Sequence, residues 1–260
     1  MDLDRLLRPT LERGAAWSVQ VRRAGGGVLA QHEPERLVRT ASVGKLFLLQ
    51  RVAELIGSGG LDPAASLDRG SGPAVADSGL WQHLDVERLT VADAARLVGA
   101  VSDNRATNVL LARVGIDTLP VGERGSRLYD YVRDERGPAD PPTLSEGCAA
   151  DLVDLLLGLP DASPVLDWVS LGVDLSMVGS AFGLDPLAHQ GPDRGVRLWS
   201  KTGTSDGVRA DVGLVEVDGQ RTAYAALGSW RADGEDLRDE ILTALRAIGR
   251  AILASQRADA

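Results

Sequence analysis

The chain has 260 residues, of which 44% are hydrophobic and 25% are charged. This length and composition predict one folded body with a sizeable core and exclude a disordered chain. The formal net charge of −9 argues against nucleic acid as a partner, because an acidic surface repels a polyanion. The single cysteine, Cys148, excludes an internal disulfide and a cysteine metal cluster, and we predict that it lies in the core.

The sequence shows no targeting or membrane signal. No stretch approaches the roughly 18 apolar residues that a membrane helix needs. The first residues lack a basic stretch followed by an apolar run, so the sequence as it stands predicts a cytoplasmic protein. If the protein is periplasmic or secreted, a leader has been removed. We expect a monomer that acts on a small-molecule substrate, with no nucleic acid, membrane, metal or cofactor.

Hydrophobic periodicity predicts strands near both ends of the chain and helices between them. Residues 1–13 predict an amphipathic helix, and residues 16–23 with VLAQHE predict a hairpin around AGGG. The middle segments predicted to be helical are VGKLFLLQRVAELIG after Ala41, VADAARLVGAV after Thr90, residues 105–115, residues 145–158, and residues 163–190 with breaks. Residues 57–80 and 116–142 predict irregular connections.

Alternation returns at Val196 in three segments, VRLWSKT, DVGLVEV and TAYAALGSW, and residues 235–256 predict a closing helix. Short turns between these strands imply antiparallel pairing. The predicted fold is therefore α/β (α+β), an antiparallel five-stranded sheet flanked by N- and C-terminal helices, with an inserted all-helical lobe. We place the sheet lobe at residues 1–40 and 191–260, the helical lobe at residues 41–190, and the active site between them.

Lysine is rare in this chain. Of 28 basic residues, only Lys45 and Lys201 are lysine. A lysine amine can lose its proton inside a protein, whereas the guanidinium of arginine cannot. A lysine retained in an arginine-rich chain is therefore expected where a deprotonatable amine is needed, although chance survival of two lysines is the simpler alternative.

Ser42 and Lys45 form a Ser-x-x-Lys motif at the start of a predicted buried helix. Residues three apart share a helix face, so the hydroxyl and the amine can meet. Burial lowers a lysine pKa, and a neutral amine can act as a general base. The helix N-terminus favours a developing oxyanion. The alternative is a helix cap with a solvated lysine, but the apolar run KLFLLQ argues against solvation.

Two further motifs could bind a substrate. Ser-Asp-Asn at residues 102–104 lies between two predicted helices, where a serine can relay a proton and an asparagine amide can bind a carbonyl. Its alternative is a plain helix cap. Lys-Thr-Gly-Thr at residues 201–204 ends a predicted strand, where glycine permits close approach and the lysine and threonines can hold an anion. Its alternative is a strand end and turn.

In this order, Ser-x-x-Lys, Ser-Asp-Asn and Lys-Thr-Gly resemble the signature of class A β-lactamases and penicillin-binding proteins. Both lysines of the chain fall within these motifs. The resemblance covers roughly residues 15–255. It implies a two-lobed fold and a serine hydrolase that forms an acyl-enzyme with a β-lactam or a related amide or ester, without metal or cofactor.

The resemblance also implies roles for the matching residues. Ser42 would be the acylated nucleophile, Lys45 its activating base, and Ser102 the residue that passes a proton to the leaving nitrogen. The backbone N–H groups of Ser42 and Thr204 would form the oxyanion hole. Residues implied to bind the substrate are Asn104, at its side-chain amide, and Lys201, Thr202, Gly203, Thr204 and Arg209, at its carboxylate.

One departure concerns deacylation. In class A enzymes a glutamate and an asparagine of a long loop hold the hydrolytic water, but residues 116–142 contain no E-x-x-L-N. Asp134 and Glu135 are the nearest candidates for the missing carboxylate, and solvated charges are the alternative. Two further interpretations therefore stay open. One is a peptidase or esterase of the same fold acting on another substrate, and the other is a slowly deacylating penicillin-binding or sensor protein.

Other features carry less functional information. Residues 203–207 match the G-x-S-x-G elbow of α/β-hydrolases, but that elbow needs a following helix and VRADVGLVEV predicts a strand. His32, His83 and His189 lack metal-ligand spacing, so we expect them to be structural or exposed. Trp81 could line the mouth of the cleft or belong to the core.

Overall fold

The computed structural model describes residues 1–258, which form seven α-helices and ten β-strands. The helices are α1 (Leu3–Leu11), α2 (Lys45–Gly57), α3 (Val91–Val101), α4 (Asn104–Val114), α5 (Ala149–Gly158), α6 (Pro164–Val169) and α7 (Arg238–Ala258). The strands are β1 (Ala16–Arg23), β2 (Val28–His32), β3 (Val38–Arg39), β4 (Ser66–Asp68), β5 (Arg88–Thr90), β6 (Arg127–Leu128), β7 (Ser145–Gly147), β8 (Val196–Ser205), β9 (Val208–Val217) and β10 (Gln220–Ser229). Residues 259–260 of the predicted sheet lobe lie outside the described residues.

The main sheet has five antiparallel strands in the order β2-β1-β10-β9-β8. Strands from the two ends of the chain meet inside it, because β1 pairs with β10 from Ala16 opposite Ser229 to Arg23 opposite Thr222. Short turns join β8 to β9 and β9 to β10. This topology confirms the predicted antiparallel five-stranded fold.

Side chains of the main sheet alternate between two cores, as the period of two predicts. On one face, Val215 and Val217 of β9 belong to a core with residues of α1 and α7. On the other face, Val212 and Leu214 belong to a core with residues of α2, α3, α4 and α5. The terminal helices therefore cover one face of the sheet, and the inserted segment covers the other.

The inserted segment contains two short sheets that the sequence analysis did not predict, β3-β7-β6 and β4-β5. Residues 145–147, predicted to begin a helix, instead form β7, which pairs with β3 and β6. Within residues 163–190, the only regular structure is α6 and a 3-10 turn at Val178–Phe182. Strands of two or three residues are too short to show a periodicity, so tertiary pairing decides them.

Ser102 and Asp103 join α3 to α4. Ser102 has a left-handed backbone, with φ of 56°, and ends α3. Asp103 caps α4, because its Oδ1 accepts a hydrogen bond from the Ala106 N–H at 2.8 Å. Its Oδ2 accepts from the backbone N–H groups of Leu80 at 2.7 Å and Trp81 at 2.8 Å. This buried carboxylate therefore ties the loop before α3 to the start of α4.

Hydrogen bonds from side chains of α4 and α5 fix the backbone of the long loop of residues 116–142. The buried Asp151 of α5 accepts from the backbone N–H of Ser126 at 3.1 Å. Asn108 of α4 accepts from the Val132 N–H at 2.8 Å and donates to the Val132 carbonyl at 2.9 Å. Asn108 therefore binds both the N–H and the carbonyl of Val132, which fixes the loop backbone at this residue.

No helix within residues 1–258 is long and apolar enough to cross a membrane. Cys148 is buried and free, as predicted for a core residue.

Replacing Asp103 with alanine is expected to lower the free energy of unfolding by about 3–5 kcal/mol, because a helix cap is lost and two further N–H groups lose their acceptor. Asp2→Ala is the matched control, since Asp2 is an exposed cap that accepts only from the Arg5 N–H. Its expected loss is about 1 kcal/mol or less. Urea denaturation of both variants measures the difference, and equal losses would contradict the role of Asp103 in tying the loop to α4.

Candidate active site

A cleft of about 650 Å³ opens where the turn before α2, the α3–α4 junction and β8 converge. Its lining contains six residues that the sequence analysis assigns to the site: Ser42, Ser102, Asn104, Lys201, Thr202 and Thr204. The fold therefore brings the three motifs, which are far apart in the sequence, to one place.

Ser42 lies in a 3-10 turn, Ala41–Gly44, that leads directly into α2. The preceding residue, Ala41, has a φ of 47°, which is a costly backbone conformation for a residue with a side chain. Ser145 of β7 stabilises this turn, because its Oγ donates to the Ala41 carbonyl at 2.6 Å and contacts Thr40 Oγ1 at 2.8 Å. Buried hydrogen bonds thus hold Ser42 at the cleft wall in a strained turn. Ser145 is a supporting residue that the sequence motifs did not indicate.

Gly203 of β8 lies against the same turn. A Cβ built on Gly203 would clash with the carbonyl oxygen of Thr40 and would lie 3.1 Å from the Val43 nitrogen. Only glycine therefore lets the Lys-Thr-Gly strand approach the backbone that carries Ser42. Gly203 has a packing function here, and it places Thr204 beside the turn that carries Ser42.

Lys45 is fully buried at the start of α2. Its Nζ donates to the Ser102 carbonyl at 2.7 Å, to Ser102 Oγ at 3.2 Å and to Asn104 Oδ1 at 2.7 Å. Within residues 1–258, no hydrogen bond joins Lys45 Nζ to Ser42 Oγ. Burial lowers the pKa of Lys45 well below its usual value, and the charge of Lys201 lowers it further, whereas Asp103 and Asp77 oppose the shift. Burial therefore makes this amine easier to deprotonate than an exposed lysine.

Lys201 of β8 is 3% exposed and reaches the same hydroxyl. Its Nζ donates to Ser102 Oγ at 3.0 Å and to the Thr202 carbonyl at 2.8 Å. Burial lowers the pKa of Lys201 to about 8, and the carboxylates of Asp174 and Asp211 limit the fall. Lys201 therefore remains mostly protonated at neutral pH. The two amines flank Ser102 Oγ, and their different pKa values suit one to proton transfer and the other to anion binding.

Asn104 is the first residue of α4 and is 5% exposed. Its Oδ1 accepts from Lys45, and its Nδ2 donates to the Ala76 carbonyl at 3.4 Å. The loop before α3 thus forms one wall of the cleft next to Asn104. This wall also contributes Asp77 and Ser78.

Arg209 does not line the cleft. Its Nη1 donates to the backbone carbonyls of Ser205 at 2.9 Å and Val208 at 2.7 Å, at the turn between β8 and β9. A different arginine, Arg39 of β3, lines the cleft beside this turn and donates to the Gly207 carbonyl at 3.1 Å. The sequence analysis missed Arg39, and its position three residues before Ser42 was the only available signal.

The loop of residues 116–142 contributes Val132, Arg133, Asp134, Arg136 and Pro142 to the lining. Asp134 therefore faces the cleft, whereas Glu135 is exposed and does not line it. The Asp134 carboxylate accepts from the Ala76 N–H at 3.0 and 3.2 Å. Of the two candidate carboxylates, only Asp134 has a position from which it could act on a bound substrate.

Asp174 also lines the cleft and was not predicted. It lies in the irregular segment after α6, where no motif surrounds it. Its charge is the largest that raises the pKa of Lys201 against the effect of burial. Sequence pattern offers no signal for such a residue, because its effect depends on a neighbour that is distant in the chain.

Trp81 and the three histidines do not line the cleft. Trp81 is fully buried and donates from Nε1 to the Val86 carbonyl at 2.9 Å, so it belongs to the core. Ser205 ends β8 and a strand follows, which excludes the α/β-hydrolase elbow. His189 is buried and bonded to the Asp185 carbonyl, and His83 is exposed. No cluster of metal-ligating side chains occurs among the described residues.

The whole chain matches one protein family. The family model described as the Beta-lactamase enzyme family matches residues 2–256. The chain therefore belongs to this family. Its membership supports the assignment of this protein as a hydrolase. Among curated proteins, none matches the sequence.

Solved structures with the same fold include class A β-lactamases and PBP-A. The β-lactamase of Sphaerobacter thermophilus DSM 20745 is 22% identical, with a TM-score of 0.79 over 96% of this chain and 94% of that chain. PBP-A is 18% identical, with a TM-score of 0.74 over 99% of this chain and 96% of that chain. A variant of the last common ancestor of Gram-negative class A β-lactamases is 19% identical, with a TM-score of 0.75 over 99% of each chain. The class A resemblance seen in the three motifs is thereby confirmed at the level of the fold.

Proposed function

We propose that this protein is a serine hydrolase of the class A β-lactamase type, which forms an acyl-enzyme on Ser42 with a β-lactam or a related amide or ester. The observation that carries the proposal is the contact of both buried lysines with Ser102 Oγ in the cleft that Ser42 lines. A PBP-A variant, 18% identical with a TM-score of 0.73, forms an acyl-enzyme complex with penicillin G. This relative supports penicillin G as the first probe.

In the proposed acylation, Ser42 Oγ attacks the substrate carbonyl carbon and its proton passes to the neutral amine of Lys45. The Ser42 hydroxyl must turn toward Lys45 when substrate binds, since catalytic hydrogen bonds often tighten only in the complex. The oxyanion is held by the backbone N–H groups of Ser42 and Thr204. As the amide C–N bond breaks, Ser102 Oγ gives its proton to the leaving nitrogen and receives one from Lys45 at 3.2 Å.

Substrate binding follows from the charges that the cleft retains. Protonated Lys201, with the hydroxyls of Thr202 and Thr204, would hold a substrate carboxylate. Arg39, which also lines the cleft, would supply the guanidinium that the sequence analysis had assigned to Arg209. Asn104 Nδ2, which faces the loop before α3, would bind the substrate's side-chain amide carbonyl.

Deacylation needs a base that activates water, and the loop of residues 116–142 offers little for this. Its one cleft-lining carboxylate, Asp134, is bonded to the Ala76 N–H. The backbone of Val132, which also lines the cleft, is clamped by Asn108, and an apolar side chain cannot activate water. These features favour slow deacylation, as in the penicillin-binding alternative. A peptidase or esterase would form the same acyl-enzyme with another substrate.

Incubation with penicillin G is expected to raise the mass of the intact protein by the mass of penicillin, because ring opening adds the whole molecule to Ser42. Ser42→Ala should show no adduct, while Ser58→Ala, an exposed serine at the end of α2, should acylate as the wild type does. Mass spectrometry over time measures formation and decay. Absence of an adduct and of turnover in the wild type would refute the β-lactam proposal, and rapid turnover of a simple ester alone would favour the esterase alternative.

Lys45→Arg is expected to lower the acylation rate on the order of 100-fold or more, because the guanidinium stays protonated and cannot act as a base. Lys45→Met also removes the base and tests the same step without the larger, charged guanidinium. Circular dichroism should show that the fold persists in at least one of the two variants. Acylation of Lys45→Arg at the wild-type rate would rule out Lys45 as the base.

Val132→Glu is expected to speed deacylation on the order of 100-fold, because it puts a carboxylate at the clamped, cleft-lining position of the loop. Val132→Gln is the matched control, since it has the same shape without the base. The decay of the penicillin adduct, followed by mass spectrometry, measures the effect. Equal decay rates for the two variants would show that the loop does not hold Val132 within reach of the hydrolytic water.

A further inference from the structure

The loop before α3 forms an arch at the cleft wall, and hydrogen bonds to α4 fix the arch at both ends. At its start, the Pro73 carbonyl accepts from Asn108 Nδ2 at 3.1 Å. At its end, the Ser78 carbonyl accepts from the Asn104 N–H at 3.0 Å. Residues 74–77, which we call the arch, connect these two anchors, and their last residue lines the cleft.

The segment around Asp134, in the loop that follows α4, is fixed on both sides as well. Before it, both backbone groups of Val132 are bonded to the side chain of Asn108. After it, Arg136 donates to the buried Asp130 carboxylate at 3.0 Å. Asp134 therefore belongs to a short exposed segment between two anchored neighbours.

A single contact joins the arch to this segment. The two carboxylate oxygens of Asp134 accept from the Ala76 N–H at 3.0 and 3.2 Å. Within residues 1–258, no other hydrogen bond runs between the arch and the loop of residues 116–142. Both partners are exposed, so water competes for the contact, and it can open locally while the buried anchors stay in place. We call this contact the strap.

Ala76 also connects the strap to the amide that we propose for substrate binding. Its carbonyl accepts from Asn104 Nδ2 at 3.4 Å, and its N–H belongs to the strap. Asn104 is the residue that would bind the carbonyl of the substrate's acyl side chain. The group attached to that carbonyl would therefore lie against the arch, and the strap decides how far the arch can move away from it.

We propose that the strap between Asp134 and Ala76 determines specificity for the acyl side chain of the substrate. Closed, it admits β-lactams or related amides whose side chain is slender next to its carbonyl, and it excludes those that carry a bulky ring directly on that carbonyl. Asp134 acts here as a hydrogen-bond acceptor and not as the base for deacylation. This inference rests on the proposed function, because it requires an acyl group bound beside Asn104.

The test compares two penicillins that share the ring system and the carboxylate and differ only in the acyl side chain. Penicillin G has a flexible phenylacetyl group, whereas methicillin carries a dimethoxyphenyl ring directly on the side-chain carbonyl. The measured quantity is the methicillin to penicillin G ratio of second-order acylation rate constants. Asp134→Ala is expected to raise this ratio by about tenfold, because a steric clash acts against one acyl group only.

Asp134→Asn separates a hydrogen-bonding role from a role as a charge or a base. Asparagine keeps one side-chain oxygen that can accept from the Ala76 N–H, so the ratio should stay within about threefold of the wild type. A charge or a base would be lost in this variant as completely as in Asp134→Ala. Glu135→Ala is the matched control, since Glu135 is the neighbouring exposed carboxylate and does not line the cleft, and it should follow the wild type.

Hydrogen–deuterium exchange tests the strap without any substrate. The Ala76 amide should exchange at least about fivefold faster in Asp134→Ala than in the wild type, because it loses its acceptor. In Asp134→Asn its exchange rate should lie between the two. The Ala106 amide, which is bonded to the buried Asp103, should exchange at the wild-type rate in both variants.

The strap proposal is overturned if Asp134→Ala leaves the ratio unchanged, or if Asp134→Asn changes the ratio as much as Asp134→Ala does. Equal slowing of adduct decay in both variants, for both penicillins, would overturn it too, since Asp134 would then act in deacylation. Unchanged exchange of the Ala76 amide would show that the strap is open in solution. A wild type that forms no adduct with either penicillin refutes the proposed function instead, so the two failures are distinguishable.

Discussion

Two buried lysines that share one serine hydroxyl are the constraint on which this site depends. Lys45 and Lys201 both donate to Ser102 Oγ, at 3.2 and 3.0 Å. Because both side chains are buried, two ammonium groups this close would repel strongly. Burial and the charge of Lys201 lower the pKa of Lys45, whereas carboxylates near Lys201 help it keep its proton. One amine is thereby suited to accept a proton and the other to bind an anion.

The scaffold supports this arrangement through buried backbone contacts. Gly203 allows β8 to touch the turn that carries Ser42, and Ser145 hydrogen-bonds the strained Ala41 that precedes it. Asp103 ties the α3–α4 junction to the loop that forms the opposite wall. These contacts come from four elements that are remote in sequence. The geometry needed for acylation is therefore a property of the packed protein, since no single motif could maintain it.

Acylation and deacylation depend on different parts of this molecule. The residues proposed for acylation lie on β8, on α2 and α4, and at the turn and junction that these helices follow, and all these elements pack against the fold's cores. The water-activating group would have to come from the loop of residues 116–142, whose clamped position over the cleft is occupied by Val132. A change in that loop can alter the fate of an acyl-enzyme without altering its formation.

Sequence periodicity alone predicted the five strands of the main sheet and the principal helices, because each is long enough to show its period. The three motifs also pointed to Ser42, Ser102 and both lysines, which the fold brings together around one cleft. Short strands such as β7 escaped prediction, since their pairing with distant segments decides them. Only the tertiary structure showed that Arg39 and Asp174 line the cleft and that Arg209 does not. Electrostatic effects depend on distance in space. A charged residue outside the motifs can therefore influence a motif residue only after folding brings the two together.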